Sequence, residues 1–355
     1  MRKREIIIRF VIISMVVFSL ISCVPKNNTI LQSSIIIEPS SKQDISGKGD
    51  LWTDRKLKVG ILTPGAEGAW RATSVNNILD DFKKWNISFI HYDGQGKQEL
   101  QIEQLEHLIE KKVDAIGFMP VVESGWEEIL MKVKEANIPL IFIDRFTDCA
   151  DESLWKSYIV SDFYKQGQLA GEWLRDYLEK EDRLDKTINI VEISGTEITK
   201  AAKDRGQSFR KAIKNNTGLK ITISKDGDFT QTGGYEAIKK ILLEITDIDV
   251  LFCHNDDMAL GAMDSIEEAG LVPGEDIIII SIDGTNAALE AILEGKIACS
   301  VETNPLLGDL FMEACVRLAN GEEIEREIHP VDRVFDITNA QAELDARKEN
   351  GYGYS

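Results

Sequence analysis

Ten short runs of β-branched and aromatic residues, each separated from the next by a stretch at helical spacing, constrain this chain more than any other feature. They begin as LKVGIL at 57, ISFIHYD at 87, DAIGFMP at 114, PLIFID at 139, SYIVSD at 157, TINIVEIS at 187, KITISKD at 220, VLFCHND at 250, IIIISID at 277 and IACSVE at 297. Strands as apolar as these are buried on both faces, and such strands alternate with helices in α/β architectures built on parallel sheets. Between the second and third runs, Gln98 to Lys112 sets Leu105, Leu108 and Ile109 on one helical face, with acids and lysines opposite. The expected fold class is α/β, and 355 residues exceed one ordinary core and point to two domains.

The strand ends carry the chemistry. In PLIFIDRF, the apolar run Leu140 to Ile143 stops on Asp144 and Arg145, an ion pair that the interior of a buried strand has no use for. The same happens at Asp93, Met119, Asp162, Asp226, Asn255 with Asp256, Asp283 and Glu302. In open parallel sheets the ligand crevice lies outside the carboxyl ends of the strands, so polar residues recurring there would line one rim. The plainer reading of each Asp or Asn is a cap for the following helix. Arg145 resists that reading, because helix N-termini favour acids over bases.

Residues 1–22 read as an export signal: Arg2, Lys3, Arg4 and Arg9 lead into an apolar run that ends on LISC. The run is shorter than the ~20 residues of a membrane span. LISC resembles the bacterial lipobox, which implies a lipidated Cys23. Residues 24–55 are rich in Ser, Lys, Gln, Asn, Pro and Gly and are expected to form a flexible tether with little to pack. Removing residues 1–22 takes the formal charge from −19 to −22, which disfavours nucleic acid and anionic lipid as partners of the body. Cys149, Cys253, Cys299 and Cys315 form no C-x-x-C pair, so no metal or redox cofactor is implied. Cys253 and Cys299 lie in apolar runs and are expected as buried free thiols.

Two chemistries suit such a rim. Carboxylates, amides and guanidinium forks can hold adjacent hydroxyls of a sugar while an aromatic ring, Trp70 or Phe229, covers its C–H face. Alternatively, two of the acids could act as acid and base in glycoside hydrolysis on an eightfold barrel. Other catalytic patterns are lacking: His91, His107, His254 and His329 are scattered, and there is no H-E-x-x-H, G-x-S-x-G or Walker loop. DGQGKQEL at 93 lacks the third glycine of a dinucleotide fingerprint.

From about Leu57 to Lys348, the stretches AEGAWR, DGQGKQELQ, VDAIGFMPVVESGWEEIL, IPLIFIDR, DRGQSF, GDFTQTGGYEAI, HNDDMALGAMDSIEEAGLVPG, SIDG and SVETNP resemble the periplasmic sugar-binding proteins of ABC transporters. The likeness is to the ribose- and galactose-binding type, and especially to its galactofuranose-binding branch. It implies two similar doubly wound lobes joined by three crossovers, with the sugar in the cleft and no enzymatic activity, and it displaces the eightfold barrel. The implied lobes are 56–160 plus 303–329 and 161–302 plus 330–348.

Position by position, the resemblance makes Asp144 and Arg145 a hydroxyl clamp, gripped from the other side by Arg205, Asn255, Asp283 and Glu302. Trp70 and Arg71 stand where ribose binders carry two phenylalanines, Glu67 matches an acid of the galactofuranose branch, and Phe229 matches an aromatic wall. Met119 replaces an amide of the ribose binders, which argues against ribose. Asp256 is expected to hold its own turn. Lys200 and Lys203 replace small or apolar residues, and Lys200 could reach the cleft and favour an anionic sugar. The implied partners are a monosaccharide, a permease and, through Cys23, the membrane; a monomer is expected. A sensing subunit for a kinase or chemoreceptor would use the same surfaces and stays open. A repressor of the lactose-repressor type is excluded by the export signal and by the lack of a basic helix-turn-helix segment.

Overall fold

The computed structural model describes residues 34–37, 56–65, 69–145, 147–245 and 247–351. Its elements, in order, are β1 (Ser34–Ile37), β2 (Lys58–Thr63), α1 (Ala69–Lys84), β3 (Ser88–Asp93), α2 (Gln98–Glu110), β4 (Ala115–Phe118), α3 (Glu127–Glu135), β5 (Leu140–Ile143) and β6 (Ser157–Ile159). There follow α4 (Phe163–Lys180), β7 (Ile188–Ser194), α5 (Lys200–Ile213), β8 (Leu219–Asp226), α6 (Gln231–Glu244), β9 (Val250–Cys253), α7 (Asp256–Glu268), β10 (Ile278–Asp283), α8 (Asn286–Leu293) and β11 (Cys299–Glu302). The chain closes with α9 (Gly308–Ala319), β12 (Glu327–Ile328), β13 (Val334–Asp336) and α10 (Ala340–Asn350).

The ten expected strands all form, and they divide between two sheets. One has the order β1-β3-β2-β4-β5-β6-β12 and the other β13-β11-β10-β9-β7-β8. Within each sheet the first five parallel strands repeat one pattern, second-first-third-fourth-fifth, so the molecule is a pair of similar doubly wound lobes. Each sheet is sandwiched between two apolar clusters, formed around Phe82, Phe89 and Phe311 and around Phe118, Trp126 and Phe142 in the first lobe. In the second lobe, clusters around Ile238, Leu251 and Ile279 and around Phe209, Phe252 and Ile280 play the same part.

Three passages join the lobes. The chain leaves the first sheet after β6 and enters the second lobe through α4, which packs on α5. After β11 it returns as α9, packed on α1 and seated over Gly117. A Cβ at Gly117 would fall 2.4 Å from Phe311 Cζ, so a side chain in the middle of β4 would push α9 off the sheet. The chain then adds β12 beside β6 and, after residues 329–333, β13 antiparallel to β11.

Three strands have no counterpart among the ten runs. The two- and three-residue strands β12 and β13 are too short to show a period. The third, β1, falls inside the stretch expected to be only a tether, and it pairs antiparallel with β3 from Ser34 opposite Tyr92 to Ile37 opposite Phe89. Cys149, Cys253, Cys299 and Cys315 are all buried free thiols. Among the described residues no helix is long and apolar enough to cross a membrane. Cys23 and the export signal lie outside the described residues.

Candidate functional site

Both doubly wound sheets reverse strand order about a central strand, β2 in one lobe and β7 in the other, and a crevice opens where that reversal occurs. The first turn of α1, after β2, carries Trp70 and Arg71, and the loop after β4 carries Met119; the loops after β7 and β9 lead into the start of α5 and carry Asn255. Topology therefore gathers residues scattered over the chain at one place.

In the first lobe Arg71 is buried and pairs with the carboxylate of Asp144, with Met119 Sδ 3.9 Å from its Nη1. Asp144 itself answers why the apolar β5 stops there. It takes a left-handed φ of 62°, a conformation Asp tolerates, and this swings the chain out of the sheet. Its N–H still donates to Ile159 O at 2.8 Å, and its carbonyl accepts from Tyr158 Oη at 3.0 Å. Trp70 lies beside Arg71, whose guanidinium carbon is 5.8 Å from the ring centroid. The Trp70 indole N–H donates to Thr303 O at 2.7 Å, so the first lobe touches the second passage directly.

In the second lobe Arg205 is buried and four of its hydrogen bonds radiate from α5. Its Nε donates to Gln166 Oε1 at 2.9 Å and its Nη1 to His254 O at 2.6 Å. Its Nη2 reaches Thr303 Oγ1 at 3.1 Å and Asp283 Oδ1 at 3.4 Å. Asp283 ends β10 with φ 131°, a strained value for a side-chain-bearing residue, and Gly284 follows at φ 69°. Strain of about 1–3 kcal/mol is typical of such positions and is tolerated where the surroundings hold it; here it aims the carboxylate at Arg205 and Thr303. Burial pushes the Asp283 carboxyl up to about 7; Arg205 pulls it down, while the nearby Asp256 adds to the rise.

Phe229 is placed by a tight loop in which Asp228 and Phe229 both have left-handed φ, 55° and 54°. Asp228 N–H donates to Asp226 Oδ1 at 2.7 Å, and Thr196 Oγ1 donates to Asp228 Oδ1 at 2.8 Å. The loop lays the Phe229 ring on Gly195, where a Cβ would sit 1.9 Å from Phe229 Cζ. Asn255 holds this wall and its own helix together: its amide donates to Phe229 O at 3.2 Å, and its Oδ1 caps α7 by accepting from Met258 N at 3.0 Å.

Behind Arg205, Glu192 is buried in the middle of β7. Burial alone would raise its pKa, but hydrogen bonds from His254, Ser224 and Arg210 outweigh it and hold the carboxyl down to about 2. Burial also lowers the pKa of His254, so its ring is neutral. A neutral ring facing an ionised carboxylate at 3.1 Å must donate from Nε2, which assigns the tautomer from the network. The second lobe thus presents Arg205 over a buried Glu192–His254 pair whose charge is balanced by the half-exposed Arg210.

Several expected rim residues serve locally. Asp162 caps α4, and Asp93 and Asp226 accept from backbone N–H groups within their own turns. Asp256 is fully buried, and its carboxylate reaches beyond its own turn: it ties together two strands and the start of α8 through Ser281 on β10, Ser300 on β11 and the Thr285 N–H. Arg145 is exposed on the loop after β5, and the guanidinium brought to Asp144 includes that of Arg71. Glu67 lies outside the described residues.

Two expectations are corrected. Glu302 is fully buried and both its oxygens accept from Arg333, Oε2 from Nε at 2.8 Å and Oε1 from Nη2 at 2.7 Å, so it anchors the third passage instead of gripping a ligand. The next residue, Thr303, is the one that meets Arg205 and Asp283, through its hydroxyl. Lys200 is 64% exposed in its side chain and pairs with Asp204 one turn along α5, which makes it part of the helix surface. Gln166, Thr303 and Asp332 went unnoticed in the sequence, since an isolated Gln or Thr carries no signal that tertiary contacts will bury it.

The family described as a periplasmic binding protein domain matches residues 59–323. The galactofuranose-binding protein YtfQ of Escherichia coli (strain K12) is 35% identical over 300 residues, covering 83% of this chain and 93% of that protein. A Mycobacterium smegmatis structure in complex with β-D-fucofuranose is 37% identical with a TM-score of 0.68, over 83% of this chain and 96% of that one. The binding-protein component of the arabinose ABC transporter from Shewanella sp. ANA-3, bound to α- and β-L-arabinofuranose, is 34% identical with a TM-score of 0.69, over the same shares. With the fold, the repeated lobe pattern and these likenesses in agreement, the chain belongs to the periplasmic binding proteins, in their ribose- and galactose-binding type.

Proposed function

We propose that this protein is the lipid-anchored receptor of a sugar ABC transporter and that its cargo is a monosaccharide in furanose form, galactofuranose-like or a related aldose or pentose. One observation carries the reading. Asp144, just past β5, pairs with Arg71 of α1 in one lobe, Asp283 at the end of β10 pairs with Arg205 of α5 in the other, and Thr303 bonds both to Trp70 and to Arg205. Two acid–guanidinium pairs offer acceptors and forks to hydroxyls on both edges of a sugar ring, and Trp70 and Phe229 offer apolar planes to its C–H faces. Three relatives named for furanoses support the ring form.

The proposed contact residues are Trp70, Arg71, Asp144, Arg145, Arg205, Phe229, Asn255, Asp283 and Thr303, with Glu67 added from the sequence and Met119 as apolar backing for Arg71. The proposed lobes are 56–160 plus 303–329 and 161–302 plus 330–348. Because ligand contacts come from both lobes, only the closed form collects them all, and binding drives closure about the passages. A sugar with a hydroxyl missing or inverted leaves a buried charged group unpaired, which penalises the wrong cargo more than shape alone would. The protein delivers its cargo to a permease and performs no chemistry. Lipidation at Cys23 rests on the LISC motif.

Calorimetry of the full chain in detergent against pyranose- and furanose-forming aldoses, pentoses, uronic acids and sugar phosphates tests this reading. The expected result is a neutral furanose-forming sugar bound at ~1 µM or tighter, about −8 kcal/mol. An uncharged panel with no binder, or turnover of a chromogenic glycoside, would overturn it.

A further inference from the structure

Gln166 occupies a position that the sugar reading does not use. It is fully buried in the second turn of α4, the first helix after the chain enters the second lobe. Its carbonyl must be the atom that faces Arg205 Nε at 2.9 Å, because a guanidinium can only donate. That choice turns its NH2 toward Asp332 Oδ2 at 2.8 Å and Thr303 Oγ1 at 3.2 Å, two groups that can accept. Thr303 stands on the second passage between lobes. Asp332 stands on the third, where its other oxygen accepts from Asn304 N–H at 2.9 Å. The Thr303 hydroxyl is then saturated: it accepts from Gln166 and Arg205 and donates to Asp283 Oδ1 at 3.0 Å.

One amide therefore joins Arg205 to all three passages. We propose that Gln166 is a positioning residue that couples occupancy of the cleft, sensed at Arg205, to the angle between the lobes. The inference rests on the cleft reading above for its ligand, but its geometry does not. If a sugar draws Arg205 toward itself, the movement is passed through one rigid amide to Thr303 and Asp332, and a change of hinge angle acts on Arg205 by the same route. Reciprocity of this kind is required of any coupling between two equilibria.

The network dictates its own test. In Gln166→Glu one carboxylate oxygen still accepts from Arg205, but the other faces the Asp332 carboxylate with no proton between them. In Asp332→Asn one amide presents one acceptor to two donors, Asn304 N–H and Gln166 Nε2. The double variant repairs both faults, since the introduced amide can donate to the introduced carboxylate while its oxygen accepts from Asn304. Sugar affinity of the full chain is measured at pH 8 together with the distance distribution between spin labels at Val122 and Ile198, exposed positions on opposite lobes.

Each single variant is expected to weaken binding about tenfold or more and to broaden the ligand-free distance distribution, and the double variant to recover to within about threefold. Singles with unchanged affinity and distances, or a double variant as weak as the product of the singles, would overturn the coupling. If the unmodified protein bound no sugar in the panel, the cleft reading would fall by itself. The distance distributions would then decide the coupling, with unchanged singles refuting it and broadened singles restored in the double supporting it.

Discussion

At the scale of single residues, the proposed site separates groups expected to face a ligand from groups that serve the scaffold. Arg205 and Asp283 do both, and truncating either to Ala should cost sugar affinity about 2 kcal/mol or more, because a buried charged partner is left unmatched; calorimetry on the two variants checks this. Glu302 behaves differently. Its bidentate pair with Arg333 is fully buried on the acid side and half exposed on the other. Glu302→Gln should therefore lower stability, by about 1–3 kcal/mol once solvent screening of Arg333 is allowed for, more than it lowers affinity in the folded fraction. Chemical denaturation and calorimetry of the same variant separate the two effects. Lys200→Ala should change neither stability nor ligand profile measurably, as expected for an exposed pair one turn apart on a helix. A shift of preference away from anionic sugars in that variant would return Lys200 to the site.

Among elements, the second lobe is organised by its strand-end loops. Asp162, Thr199, Thr230, Asn255 and Thr285 each accept from a backbone N–H in the first turn of the following helix, so five helices start where the loops leave the sheet. Caps of this kind contribute about 1 kcal/mol each, and they place the helix N-termini along the crevice. The loop after β8 depends on a glycine in a different loop. Gly195→Ala would put a methyl group inside the Phe229 ring, so the ring and its loop must lift. We expect that variant to lose about 1–3 kcal/mol of stability and to weaken sugar binding by displacing the aromatic wall, with Gly195→Ala/Phe229→Ala regaining stability but not affinity. Thermal unfolding and calorimetry on the single and double variants distinguish these outcomes.

For the whole molecule, ionisation of the passages links stability to pH. Burial raises Asp283 to about 7 and Asp332 to about 6, against about 3.9 in an unfolded chain. Between about pH 4 and pH 7 the folded state keeps protons that the unfolded state has lost, so these two groups destabilise the protein as pH rises through that window. Buried His254 and His91 act in the opposite sense. Their folded pKa values are depressed, His91 to about 4, so their contribution is present above about 6.5 and lost as pH falls. Glu192, held at about 2, loses its contribution only below about pH 4. The difference between variants isolates one group: Asp283→Asn should gain stability relative to the unmodified protein as pH rises from about 4 to 7. A flat difference across that range in denaturant melts would show that Asp283 titrates normally. The proposed closure on a ligand belongs to this scale too, and it predicts that saturating sugar shrinks the radius of gyration in solution scattering.

The ten runs and their helical spacers determined the α/β class and the parallel sheets, because period and apolar content follow from burial on one or two faces and need no knowledge of partners. The abrupt end of PLIFIDRF likewise marked Asp144 as a strand-end residue, since a buried strand has no place for an ionised pair. Motif order along most of the chain singled out Arg205 and Asp283, which the structure pairs with each other. Only the tertiary structure decided that Arg71, some seventy positions away, pairs with Asp144, that Glu302 turns to Arg333 while Thr303 meets Arg205 and Asp283, and that Gln166 and Asp332 meet. The reason is physical. Which of two neighbouring strand-end residues faces the crevice depends on a backbone angle and on what the third passage brings alongside, and those are set by packing between segments far apart in the chain. The short strands β12 and β13 are of the same kind: two or three residues have no periodicity of their own, and they become strands only because β6 and β11 offer them an open edge.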